Sequence, residues 1–130
     1  MTNSLALPRG VGVDVVAISR TDDFYRKHRD SLRKILNDPE LKQVEDSGSP
    51  ARMLAYFFSA KEAVFKSLDQ NWLGVEGFRM IEIGLPSEHE MFGAAKLSGV
   101  MKEKAAGRIH EWRVQFLETD DFVISQAIAF

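Results

Sequence analysis

The sequence predicts an α+β fold, an antiparallel sheet packed on one long central helix, on three observations. From about Ala51 to Leu68 the chain keeps a helical apolar period with no Gly or Pro in its interior. A Val-rich strand pattern, Gly10 to Ile18, precedes it, and two further strand patterns close the chain. At 130 residues the chain suits a single domain with a real core. Strands and helices in this order place a sheet against the central helix.

Residues 1–9 read as a loosely held lead-in to one domain spanning 1–130. In the first strand the period of two sends Val11, Val13 and Val15 to one face and Gly12, Asp14 and Val16 to the other. The Gly-x-Gly of Gly10 and Gly12 is not a dinucleotide fingerprint, because the third Gly and the following helix start are missing. Ser19-Arg20-Thr21-Asp22-Asp23 offers N-cap candidates for a polar helix ending at Lys27 or Arg29. A short helix is expected around Ser31–Leu36, and another from Asp38-Pro39-Glu40, with Pro at its first position, to about Glu45. Asp46 to Pro50 is a loop leading into the central helix.

Beyond Leu68, residues Asp69 to Gly77 read as a loop, Phe78 to Ile83 as a strand and Glu90 to Gly93 as a short strand. Ala94 to Ala106 has helical composition, and Gly107 is a natural terminator. Ile109 to about Leu117 and Phe122 to Phe130 complete the sheet, joined by Glu118-Thr119-Asp120-Asp121.

Composition narrows the function. A formal net charge of -2 gives no reason to expect nucleic acid or an anionic membrane as a partner. The absence of Cys excludes disulfides, thiolate catalysis and cysteine-ligated zinc. No apolar run reaches the ~18 residues of a membrane span, and no signal-peptide pattern opens the chain, so a cytoplasmic protein is expected. His28, His89 and His110 lack metal-ligand spacing and read as surface or packing residues, and Trp72 and Trp112 as core or interface aromatics.

The chemistry-bearing residues lie in two stretches. Glu62 and Lys66 stand four apart on the central helix and share a face with Phe58, while Lys61 and Phe65 form the neighbouring row. Leu54, Phe57, Phe58, Phe65 and Leu68 make much of this helix apolar, so its charges need partners or a purpose. Asp14 is an acid in the middle of a strand, which calls for a cation or several donors. On this segment alone an ordinary surface ion pair is the readier explanation of Glu62 and Lys66. If Asp14 and Glu62 converge, two carboxylates beside a lysine suit magnesium and a phosphate group, and hence phosphoryl transfer. The basic run Arg20, Arg26, Lys27, Arg29, Arg33 and Lys34 is either a solvated face or a receptor for an acidic partner.

Gly12-Val13-Asp14-Val15, followed by Phe58-Ser59-Ala60-Lys61-Glu62-Ala63-Val64-Phe65-Lys66, resembles the paired signature of the 4′-phosphopantetheinyl transferases. The chain length points to their small holo-acyl-carrier-protein synthase type, one subunit of which equals half of the two-lobed type. Asp14 to Arg20, Ile35-Leu36-Asn37 with Glu40-Leu41, and Ile81-Glu82-Ile83 extend the similarity over most of the chain from Gly10 onward. The resemblance implies Asp14 and Glu62 as ligands of magnesium on the pyrophosphate of coenzyme A. Lys66 and Ser67 are implied beside that cofactor, with Lys61 as a phosphate or structural contact. Glu62, or a metal-bound water, would help deprotonate the serine of an apo acyl carrier protein, whose oxygen attacks the β-phosphate and expels 3′,5′-ADP. Arg20 and Arg26 would receive the acidic helix of the carrier. A homotrimer with its active site between subunits is also implied, serving fatty-acid, polyketide or other synthesis.

Three departures stand out. Where the family carries Ser-x-Ser-His, this chain has Gln115-Phe116-Leu117-Glu118, and a Glu there is expected to repel phosphates. Phe57 stands where the family usually has Arg, and Asp69-Gln70-Asn71 replaces its Gly-Thr-Gly. These changes keep open a non-catalytic trimeric module that binds carrier or coenzyme A. A generic magnesium-dependent phosphohydrolase is a more distant alternative, because no water-activating base accompanies the acids.

Overall fold

A computed structural model describes residues 7–68, 75–105 and 111–130. The chain runs β1 (Gly10–Ala17), α1 (Ile18–Lys27), a 3-10 turn (Arg29–Lys34), α2 (Asp38–Asp46) and α3 (Pro50–Ser67). A second 3-10 turn (Val75–Met80), β2 (Ile81–Gly84), β3 (Gly93–Leu97), α4 (Gly99–Ala105), β4 (Trp112–Glu118) and β5 (Phe122–Ala129) follow. The strands form one sheet in the order β1-β5-β4-β3-β2, with every neighbouring pair antiparallel. The expected α+β architecture is what the chain adopts.

The long helix α3 is the hub of the core. Leu54, Phe57, Ala60, Ala63 and Val64 are buried against Trp112, Val114, Ala127 and Ala129 of the sheet. Strand β1 lies directly on α3, and two glycines make this possible. A Cβ on Gly10 would overlap the carbonyl oxygen of Ser67, and one on Gly12 would overlap that of Ala63. The Gly-x-Gly motif is therefore a close-packing device. Replacing Gly12 by Ala is expected to cost about 1–3 kcal/mol or more by forcing β1 off the helix. Gly48→Ala, at a site where a Cβ meets nothing within 4 Å, is the control for the same urea-unfolding measurement.

The two faces of β1 divide as the period of two requires. Gly12 and Val16 are buried towards α3, whereas Val11, Val13 and Val15 are about half exposed on the far side of the sheet. Asp14 is on the helix side, opposite Ser125 in the ladder with β5.

Several boundaries differ from expectation. The first strand stops at Ala17, and α1 begins at Ile18 without a side-chain cap, so Ser19 to Asp23 lie inside the helix. The Ile18 amide instead donates to the Asp121 carbonyl at 2.9 Å, which supplies from the β4–β5 connection what a cap would supply locally. Helix α2 is opened by a capping box between Asn37 and Glu40. Residues Phe78 to Met80 are in a 3-10 turn rather than a strand. Gly93 to Leu97, read mostly as the start of a helix, is β3, because its edges are taken by β2 and β4. Local Ala-rich propensity yields to that pairing. The helix is confined to α4, beginning at Gly99 in the left-handed region at φ 56°. Trp72, Gly107, His110 and the Asp69-Gln70-Asn71 substitution lie outside the described residues.

Candidate active site

Strand β1 and helix α3 cross where Gly12 permits contact, and this crossing joins the two sequence stretches. Asp14 projects from the strand, its side chain 15% exposed, and its Oδ1 accepts from Lys66 Nζ at 2.9 Å. Lys66 also donates to the Val13 carbonyl at 3.1 Å. One turn back along α3, Glu62 is partly buried, and its carboxyl is held above the usual range, first by burial and next by the Asp14 charge. Lys66 and Arg20 act on Glu62 in the opposite direction. Asp14, Glu62, Lys66 and Arg20 are thus electrostatic neighbours.

The donor set fits magnesium. Among the described residues no group of three or more His, Cys, Asp or Glu could form a protein cage. Two carboxylates on adjacent elements, one mostly buried and one partly so, are the sparse oxygen set that magnesium uses when waters and phosphate oxygens supply the rest.

Lys61 and Ser67, expected beside the cofactor, are instead turned inward. Lys61 is fully buried, with its ammonium 2.7 Å from Glu40 Oε1 and 2.7 Å from the Phe78 carbonyl, and it also donates to the Ile81 carbonyl. Its donors are spent on the fold, and burial pulls its pKa down while Glu40 pulls it up. Of the two roles expected for Lys61, the structural one matches this environment. The Ser67 hydroxyl donates to the Val64 carbonyl at 2.6 Å and accepts from Trp112 Nε1 at 3.0 Å, inside the core. In this arrangement neither side chain is open to a ligand.

The basic face after Asp14 is less positive than its composition suggests. Arg26 pairs with Asp22 at 3.2 Å and Lys27 with Asp23 at 2.9 Å, both one turn apart and exposed. Arg20 is exposed and lines a mainly apolar pocket of about 280 Å³ with Phe24, Leu54 and Phe58.

Two of the departures also have local explanations. Phe57 is fully buried in the core, so its side chain makes packing contacts rather than facing an anion. Glu118 Oε2 accepts from Arg52 Nη1 at 2.7 Å. Arg52 also donates to the carbonyls of Thr119 at 3.0 Å and Asp120 at 3.2 Å, tying the β4–β5 hairpin to the start of α3. The repulsion expected from Glu118 is therefore offset by a neighbouring guanidinium.

Arg52 was not among the residues singled out from sequence, and Glu40 was named only at the start of α2 and within the family resemblance, not as the partner of a lysine. Only Glu40 had a local signal, the Asn37-x-x-Glu40 capping pattern.

Tyr56, beside Glu118, has its phenol pushed up to about 12, by burial first and by Glu118 second. In a Tyr25→Phe background, which leaves Tyr56 as the sole tyrosine, the phenolate absorbance is expected to rise only near that pH. Glu118→Gln should bring the midpoint down, because a negative neighbour that opposes ionisation is removed. An unmoved midpoint would show that Glu118 is not beside the phenol.

Comparison with known proteins adds to this geometry. The model of the 4′-phosphopantetheinyl transferase superfamily matches residues 10–127. The holo-[acyl-carrier-protein] synthase of Caldanaerobacter subterraneus subsp. tengcongensis is 32% identical over 122 residues, covering 92% of each chain. That of Klebsiella pneumoniae is 35% identical over 94 residues, covering 68% of this chain and 74% of its own. The fold is similar to the crystal structure of the Neisseria meningitidis synthase, with a TM-score of 0.82 at 24% identity over 95% of this chain and 99% of that one. It is also similar to the Helicobacter pylori synthase in complex with coenzyme A, with a TM-score of 0.72 at 22% identity over 92% and 99%.

Proposed function

The chain belongs to the 4′-phosphopantetheinyl transferase superfamily, and from that premise we propose that it is a holo-acyl-carrier-protein synthase. It transfers phosphopantetheine from coenzyme A to a serine of an apo acyl carrier protein. The observation that carries this reading is the meeting of Asp14, Glu62 and Lys66 where β1 crosses α3.

In the proposed mechanism, Asp14 and Glu62 would hold magnesium, which would supply charge neutralisation for the pyrophosphate of coenzyme A. Lys66 adds a mobile positive charge beside the phosphate. Glu62, whose affinity for a proton is raised by its surroundings, is suited to draw the proton from the carrier serine. The serine oxygen forms a bond to the β-phosphorus, the bond from that phosphorus to 3′,5′-ADP breaks, and holo-carrier and 3′,5′-ADP separate.

Arg20, next to Glu62 and above an apolar pocket, suits an acidic carrier helix that also presents apolar side chains. Arg26, with its own acidic neighbour, contributes less on this reading. A homotrimer is supported by the apolar outer face of the sheet, where Val11, Val13, Val15, Leu117 and Phe122 are exposed. Among the described residues no helix is long and apolar enough to cross a membrane, and the reaction is proposed to run in the cytoplasm.

The test is intact-protein mass spectrometry of an apo carrier protein mixed with this protein, coenzyme A and magnesium. A metal-dependent gain of one phosphopantetheine, ~340 Da, is expected from group transfer. No gain on several carriers, with carrier or coenzyme A still bound, would select a non-catalytic binding module instead.

A further inference from the structure

We propose that Lys66 is an exchangeable internal cation, holding Asp14 until a divalent ion takes that carboxylate and then turning to the substrate phosphate. The inference rests on the metal reading above and deepens it, because it makes ammonium and metal alternatives at one acid.

The argument starts from the geometry of the pair. Both acceptors of Lys66, Asp14 Oδ1 and the Val13 carbonyl, belong to β1, so the ammonium is drawn across from α3 onto the strand. Asp14 is 15% exposed whereas the Lys66 side chain is 49% exposed. The acid is fixed and poorly hydrated, while the lysine approaches from the solvent side on a flexible four-carbon stem. Of the two, only Lys66 has room to leave.

A divalent ion on Asp14 would lie within a few ångströms of that ammonium and repel it twice as strongly as a single charge would. The hydrogen bonds that Lys66 gives up are at a half-exposed position, where water replaces them at small cost. The phosphate that arrives with the ion offers the freed ammonium a charged acceptor. Metal binding thus prepares the phosphate contact, and phosphate binding favours metal by the same factor, since coupling between sites is reciprocal.

The full chain labelled with [15N]lysine tests this directly, with the Lys66 Nζ resonance assigned by its loss in Lys66→Arg. A protected Lys66 ammonium signal is expected without divalent ions. It should shift or vanish as magnesium chloride reaches the concentrations at which calorimetry shows saturation. A signal unchanged by bound magnesium, or no protected signal at the start, overturns the exchange and leaves the metal reading standing. No magnesium binding, with or without coenzyme A, overturns both.

Affinity supplies a second readout. Lys66→Met should bind magnesium about tenfold more tightly, because the carboxylate loses its internal competitor. Arg20→Met removes the same charge near Glu62 without touching Asp14, and should tighten binding less. Equal tightening in the two variants would point to the general field of the site and overturn the exchange.

Discussion

Replacing Glu62 or Asp14 by Ala is expected to leave a folded protein whose carrier modification falls by about three orders of magnitude or more. A metal ion and its ligands supply several kcal/mol of charge stabilisation in such a transfer, and each ~1.4 kcal/mol is a factor of ten in rate. The fold should survive, because neither carboxylate anchors the interior. Asp14 is bonded to a half-exposed lysine, and Glu62 lies at the margin of the core. The measurement is initial rate by mass spectrometry beside circular dichroism and thermal unfolding. Near-normal turnover in either variant would remove that residue from the metal site.

Lys61→Ala is expected to act on stability instead, lowering it by about 3–5 kcal/mol, since it strands a buried carboxylate. Glu40 is 2% exposed and accepts from Lys61 Nζ, the Asn37 amide at 2.9 Å and the Ile83 amide at 2.8 Å. The network joins the start of α2, the middle of α3 and strand β2. Removing the ammonium leaves the charge without its counter-ion, whereas Lys61→Met with Glu40→Gln should regain much of the loss. Urea unfolding of the single and double variants measures the coupling. In Lys61→Ala the activity of the protein that remains folded should stay close to that of the parent chain. A specific loss of coenzyme A affinity at unchanged stability would return Lys61 to the cofactor site.

Much of the fold was legible because it depends on short-range rules. The period of α3 and the alternation in β1, β4 and β5 are visible in ten to twenty residues. The α1 boundary was not legible, because its first amide is satisfied by Asp121, about a hundred positions away in the chain. Strand β3 was hidden for a similar reason. Gly93-Ala94-Ala95 carries no strand signal of its own and becomes one by lying between β2 and β4.

The candidate site divides along the same line. Asp14 was conspicuous in sequence as an acid within a strand and Glu62 as a charge on a largely apolar helix, and the spacing of four suggested that Lys66 shares a face with Glu62. Which lysine stays at the surface was decided by packing. Lys61 and Lys66 lie five residues apart, close enough in sequence to look alike, yet one enters the core against Glu40 and the other reaches Asp14 at its edge. Residue type and spacing determined what chemistry this chain carries, since those follow from side-chain pKa values and helical period. The close crossing of β1 over α3, and the pairings of Lys61 with Glu40 and of Glu118 with Arg52, were settled by tertiary structure alone. Charge compensation depends on distances of a few ångströms between residues far apart in sequence, and no local pattern encodes them.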